Sequence, residues 1–175
     1  MTMKQILNLT DCPWIVVYRA CVAILQADPT LSGIVREDAW IVWDGEDASP
    51  SPLSANRDVA VRVSPVASGE EWYSPDSTIR NLSLNIDFDV QSTCINDPHN
   101  FWQAVQRAFY PPDDATIDNP ATPRFTIINT LVAAGAWTGV LTFSGPNVIP
   151  DDAKSPSYFS CRGVLKLEVD NRLNS

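Results

Sequence analysis

The chain has 175 residues, with twelve Lys plus Arg against twenty-one Asp plus Glu and a formal charge of -9. That length suits one domain able to bury roughly 70% of its unfolded surface, and the acidic balance repels a phosphate backbone, which argues against a dedicated nucleic-acid binder. Charged residues make up only 19% and hydrophobic ones 45%, six of them Trp, so apolar surface is in excess for one small core and points to an oligomer or docked subunit.

Met1 to Leu9 has no basic segment leading into an apolar run, and so does not read as a secretory signal. Trp14 to Leu25 is apolar but interrupted by Arg19, and it is shorter than the roughly 20 residues that span a bilayer. The expectation is a soluble protein made in a cytoplasm, with no membrane partner. This stretch predicts the first helix: Asp11 can cap it, Pro13 suits its first turn, and Trp14, Tyr18, Cys21, Val22 and Leu25 recur at helical spacing. Asp28-Pro29 ends it.

Strands are predicted at Ile34 to Asp44, around Ala39-Trp40-Ile41-Val42-Trp43, and at Arg57 to Ser64, where Val59, Val61 and Val63 alternate with Ala60 and Arg62. Alternation is clearest from Ile79 to Gln91. Leu82, Leu84, Ile86, Phe88 and Val90 share one face, and Asn81, Ser83, Asn85, Asp87, Asp89 and Gln91 the other. Asp97-Pro98 opens a second helix with an apolar stripe of Phe101, Trp102, Val105, Ala108 and Phe109, ending at Pro111-Pro112. Three more strands are expected at Arg124 to Val132, Ala136 to Phe143 and Phe159 to Asp170, the first two forming a hairpin through Ala134-Gly135. The order is helix, three strands, helix, three strands in one domain over residues 1–175. The expected fold is α+β: a mostly antiparallel sheet with two helices on one face. Four connections, Gly45 to Asn56, Pro65 to Ser77, Tyr110 to Pro123 and Ser144 to Tyr158, hold eleven of the fourteen prolines and read as stiff, extended loops.

Little of this carries chemistry. His99 is the sole histidine and falls in a first helical turn, where it reads as a solvent-facing side chain rather than a base. Cys12, Cys21, Cys94 and Cys161 lack C-x-x-C spacing, so a zinc site is not expected; they read as ordinary thiols, with inter-chain disulfides the alternative. Asp87 and Asp89 share a strand face and could flank a cation, although a solvated face is the simpler reading. Asp113, Asp152 and Lys154 echo the P-D and D-x-K elements of metal-dependent nucleases, but the D-x-K stands in a Pro- and Ser-rich loop rather than on a core strand. The seven glycines form no phosphate-binding loop, and no G-x-S-x-G elbow occurs. The expectation is no enzyme, no cofactor and no metal. Trp43, Trp72, Tyr73 and Tyr110 are the candidate interface residues, chosen as aromatics without a place in the predicted core.

Three features together resemble the tail terminator proteins of long-tailed bacteriophages. They are the opening helix Pro13 to Gln26 ahead of a strand, the strand Leu82 to Val90 with its polar link Gln91 to Asn96 and amphipathic helix Pro98 to Tyr110, and the closing run of strands to Asp170. The resemblance implies a virion subunit assembled in the host cytoplasm. Its partners would be copies of itself in a ring, a hexamer in that family, the tail tube protein, and a head-completion or neck protein. Another neck, tube or adaptor subunit is the nearest alternative; a metal-dependent nuclease or hydrolase is the alternative of a different class.

Overall fold

A computed structural model describes residues 13–42, 58–66, 79–111, 123–151 and 158–170. In chain order these form α1 (Pro13–Ala27), α2 (Pro29–Ile34), β1 (Val35–Val42), β2 (Asp58–Val66), β3 (Ile79–Gln91), α3 (Asp97–Phe109), α4 (Pro123–Ala133), β4 (Ala136–Asp151) and β5 (Tyr158–Asp170). The strands make one sheet in the order β1-β2-β3-β5-β4. Only the β1–β2 pair is parallel. The fold is therefore α+β with a predominantly antiparallel sheet, as the alternation pattern predicts.

Period-two patterning sets the two faces. Leu84, Ile86, Phe88 and Val90 of β3 are buried, beside Val59, Val61 and Val63 of β2 and Phe159, Cys161, Leu165, Leu167 and Val169 of β5. The helices close over this face. From α1 come Val17, Tyr18, Cys21, Val22 and Leu25, and from α3 come Phe101, Trp102, Val105, Ala108 and Phe109, all in one core. The Tyr18 hydroxyl donates to the Val63 carbonyl at 2.9 Å, which satisfies a buried phenol and ties α1 to β2.

An aromatic cluster joins α3 to the sheet. Phe88 packs against Phe101 at 4.8 Å between ring centres and stacks on Trp102 at 6.2 Å, while Phe143 of β4 meets Trp102, Phe109 and Tyr110. The Trp102 ring lies so close over Gly163 that a Cβ there would stand 2.6 Å from Cζ2 and closer still to Cη2 and Cζ3. Glycine at 163 makes room for an indole.

Four expectations need correction. Arg124 to Val132 is not a strand: it lies within helix α4, and the chain after α3 runs helix, then two strands. Its β-branched residues favour a strand by propensity, but the Thr130 hydroxyl donates to the Thr126 carbonyl at 2.8 Å, the four-residue back-bond a helix allows, and Leu131 is fully buried from this helix. Ala134-Gly135 is accordingly the end of α4 rather than a hairpin turn, with Gly135 at φ 109 and its N–H bonded to the Val132 carbonyl. Asp28 does more than end α1. Its carboxylate accepts from Thr30 N and Leu31 N at 2.9 Å each and so caps the short α2, in addition to the two helices expected.

The last correction concerns the expected loops. Residues 144–151 continue β4, and Pro65, Pro146 and Pro150 stand within strands while Pro123 opens α4. The chain stays in the sheet past Gly145-Pro146, a cis bond, because a bulge absorbs the interruption. The four residues from Ser144 to Asn147 oppose three of β5, Val164 to Arg162, there. Gly145 has φ 103, and a Cβ on it would come within 2.9 Å of the Arg162 carbonyl. Gly45 to Asn56 and most of Pro65 to Ser77 and Tyr110 to Pro123 lie outside the described residues.

Candidate functional site

The second face of the sheet is polar. Among its described side chains only the small Ala60 and Ser83 are buried, while Arg62, Ser160, Arg162 and Lys166 are exposed. Strand register brings charged residues together that are far apart in the chain. Arg62 of β2 stands opposite Asp87 of β3, and Asp87 opposite Arg162 of β5. Arg162 Nε donates to Asp87 Oδ1 at 2.6 Å and its Nη2 to Oδ2 at 3.2 Å, a two-point contact that raises the guanidinium pKa by hydrogen bonding and charge. One row along, the Ser160 hydroxyl donates to Asp89 Oδ1 at 2.8 Å. Both Asp87 oxygens and Asp89 Oδ1 thus accept hydrogen bonds within the sheet, and among the described residues no three His, Cys, Asp or Glu are grouped as metal ligands.

A groove of about 670 Å³ opens between α2 and α3, floored by Val59, Val90 and Phe101 and rimmed by Ile34, Asp97 and Arg107. Near its rim the chain turns from β3 into α3 through a polar corner. Ser92 is buried; its hydroxyl donates to Asp97 and accepts from Cys94 N at 2.9 Å. His99 is exposed in the first turn of α3, as expected for a solvent-facing side chain.

Of the four interface candidates, Trp43, Trp72 and Tyr73 lie outside the described residues. Tyr110 is half-buried and engaged within the chain. Its ring meets Phe143 edge-on at 6.0 Å, and its hydroxyl both donates to the Leu141 carbonyl and accepts from Leu141 N, each at 3.3 Å. It acts as a strut between the end of α3 and β4. The nuclease-like Asp113, Asp152 and Lys154, together with Cys12, also lie outside the described residues.

Cys21, Cys94 and Cys161 are free thiols. Burial pushes Cys21 up to about 12, and burial together with the nearby Asp89 charge pushes Cys161 to about 12. Neither is a nucleophile at neutral pH. No described helix is long and apolar enough to cross a membrane.

Sequence reasoning missed the groove and the Arg62–Asp87–Arg162 row. Alternation placed Asp87 and Arg162 on the outward positions of their strands, but their pairing is a matter of register between segments 75 residues apart. No family model matches the chain, and no curated protein matches it.

Proposed function

We propose that the chain is a non-enzymatic structural subunit of a phage particle, of the kind that terminates a tail tube by forming a ring on its end. The observation that supports this reading most is the arrangement β3, polar corner, α3: a thirteen-residue alternating strand feeding an amphipathic helix of the same length. It lies beside an opening helix ahead of a strand and a closing strand, the pattern that resembles tail terminators, but the closing strand runs between β3 and β4 where that resemblance expects a sheet edge. The helix α4 in place of a strand departs from the closing run of strands in that resemblance.

In this role the action is geometric. One face of the ring matches the last ring of tube subunits, the opposite face does not template another, and that opposite face receives a head-completion or neck protein. Negative-stain microscopy of the purified protein, alone and mixed with tube protein, tests the proposal. Rings of uniform diameter are expected. A chain that stays monomeric under both conditions overturns it, as does a Mg²⁺ or Mn²⁺ site by calorimetry that Asp152→Ala abolishes.

A further inference from the structure

We infer that the polar face of the sheet over β1 and the start of β2 is covered by the chain's own residues 43–57, which lie outside the described ones and join these two strands. Three observations converge on this occupant.

First, the connection has to pass over one face. β1 and β2 are adjacent and parallel, with Val42 opposite Val63 and Asp58 opening β2. The chain must therefore return from the level of Val63 to that of Asp58, which is about 17 Å along the strand. A tight turn cannot join parallel neighbours. Residues 43–57 reach about 50 Å when extended, so their length allows a crossing.

Second, handedness chooses the face. β3 and β4 are both antiparallel to β5, so the connection between them is also a crossover between parallel strands, and it carries α3 and α4 over the apolar face. It steps across the sheet order in the same direction as the connection from β1 to β2. β1 and β2, however, run opposite to β3 and β4. Two crossovers of the same hand that step the same way from strands of opposite sense lie on opposite faces of a sheet. Such crossovers are right-handed in about 98% of cases. With α3 and α4 on the apolar face, residues 43–57 belong to the polar one.

Third, the other path is filled and the composition fits this one. Over β1 and β2 the apolar face is taken by α1 and α2: the Tyr18 hydroxyl reaches the Val63 carbonyl, and Leu31 is buried in one core with Val35 and Val59. Between 44 and 57 the one large apolar residue is Leu53, among Asp44, Glu46, Asp47, Pro50 and Pro52. A polar stretch stiffened by proline suits a polar surface. Ala60, 6% exposed, keeps that surface low beside Asp58, where the crossing arrives. The chain itself thus occupies the β1 side of the polar face.

The test is cross-linking by a short bismaleimide in a Cys12→Ser, Cys94→Ser background, where the two remaining native thiols are buried. One variant pairs Ser51→Cys with Arg62→Cys, exposed on the polar face; the other pairs Ser51→Cys with Ser32→Cys, exposed on α2. Melting temperature checks folding, and denaturing gels with peptide mapping separate links within a chain from links between chains. The Arg62→Cys pair is expected to link within one chain about tenfold faster than the Ser32→Cys pair, because proximity sets the effective concentration. Faster linking of the Ser32→Cys pair puts the connection on the helix side and overturns the inference. Linking in neither pair takes it off both faces and does the same. Links formed only between chains hand the cover to a second copy, which also overturns it.

Discussion

Gly163→Ala is expected to be among the most destabilising single-methyl changes available to this protein. The added Cβ would meet three atoms of the Trp102 ring, at 2.6 Å for Cζ2 and closer for the other two. The ring has little room to retreat: Trp102 is 3% exposed, stacked on Phe88 with planes 6° apart and met edge-on by Phe143 at 6.1 Å. Gly163 itself sits in the middle of β5, paired to Ile86 of β3. Relief therefore requires moving α3 away from the sheet or rotating the indole out of its cluster. Overpacking costs about 1–3 kcal/mol, and a blocked ring places this case near the upper figure, about 3 kcal/mol. For a chain of this size that lowers the melting temperature by roughly 6–12 °C. Urea unfolding followed by far-ultraviolet circular dichroism measures the loss, and Trp102→Leu supplies the second arm of a double-mutant cycle. Because the leucine removes the obstructing ring, Gly163→Ala costs less in its presence, with a coupling of about 1–2 kcal/mol. A loss below about 0.5 kcal/mol for Gly163→Ala alone, or additive behaviour in the cycle, would refute the close approach of indole and strand.

Three further expectations follow from the geometry. Tyr110→Phe removes both hydrogen bonds to the Leu141 backbone and keeps the ring on Phe143, so it lowers stability by about 1 kcal/mol in chemical denaturation. Asp28→Ala leaves Thr30 N and Leu31 N without their carboxylate and costs about 1 kcal/mol, whereas Asp28→Asn restores most of it. The Cys21 thiol, pushed up to about 12 by burial, holds its proton in the folded protein at pH values where an unfolded thiol has lost it. From pH 9 to 12 the native state binds more protons than the unfolded state, so stability falls as pH rises, by roughly 1.4 kcal/mol per pH unit for this group. Cys21→Ala should reduce that slope in alkaline melting curves. At pH 8 alkylation should label half-buried Cys94 in the native protein and spare Cys21 and Cys161 until denaturant is added.

The parts of the fold legible in the sequence are those in which local pattern and tertiary environment agree. Every second residue from Leu84 to Val90 is buried, and the predicted stripe of α3 is the stripe that packs. Such agreement between levels is what period-based reading depends on. Where they disagree the reading fails. Thr126, Ile127, Ile128, Thr130 and Val132 have strand propensity, yet burial of Leu131 favours a helix, in which the Thr130 hydroxyl is accommodated by its back-bond to Thr126. Likewise Ser144-Gly145-Pro146-Asn147 has turn composition, but β5 is long enough to keep pairing across it through a bulge. The polar face shows the deeper limit. That Asp87 and Arg162 point outward is a property of each strand alone, and that they meet is a property of the register between two strands, which no local pattern contains.

The corner at Ser92 and Asp97 also bears on the order in which the protein folds. Phe88 touches Phe101 and Trp102, residues thirteen and fourteen positions away, across a turn held by the Ser92 hydroxyl. Closing so short a loop costs little chain entropy. By contrast, β3 pairs with β5 through residues some seventy-five positions apart. The strand, corner and helix can therefore condense early as a local nucleus, with their apolar sides already together, and offer β5 a formed edge to join. The Trp102 ring is then in position before Gly163 arrives, so the missing side chain at 163 serves the docking of the last strand as well as the packing of the finished core.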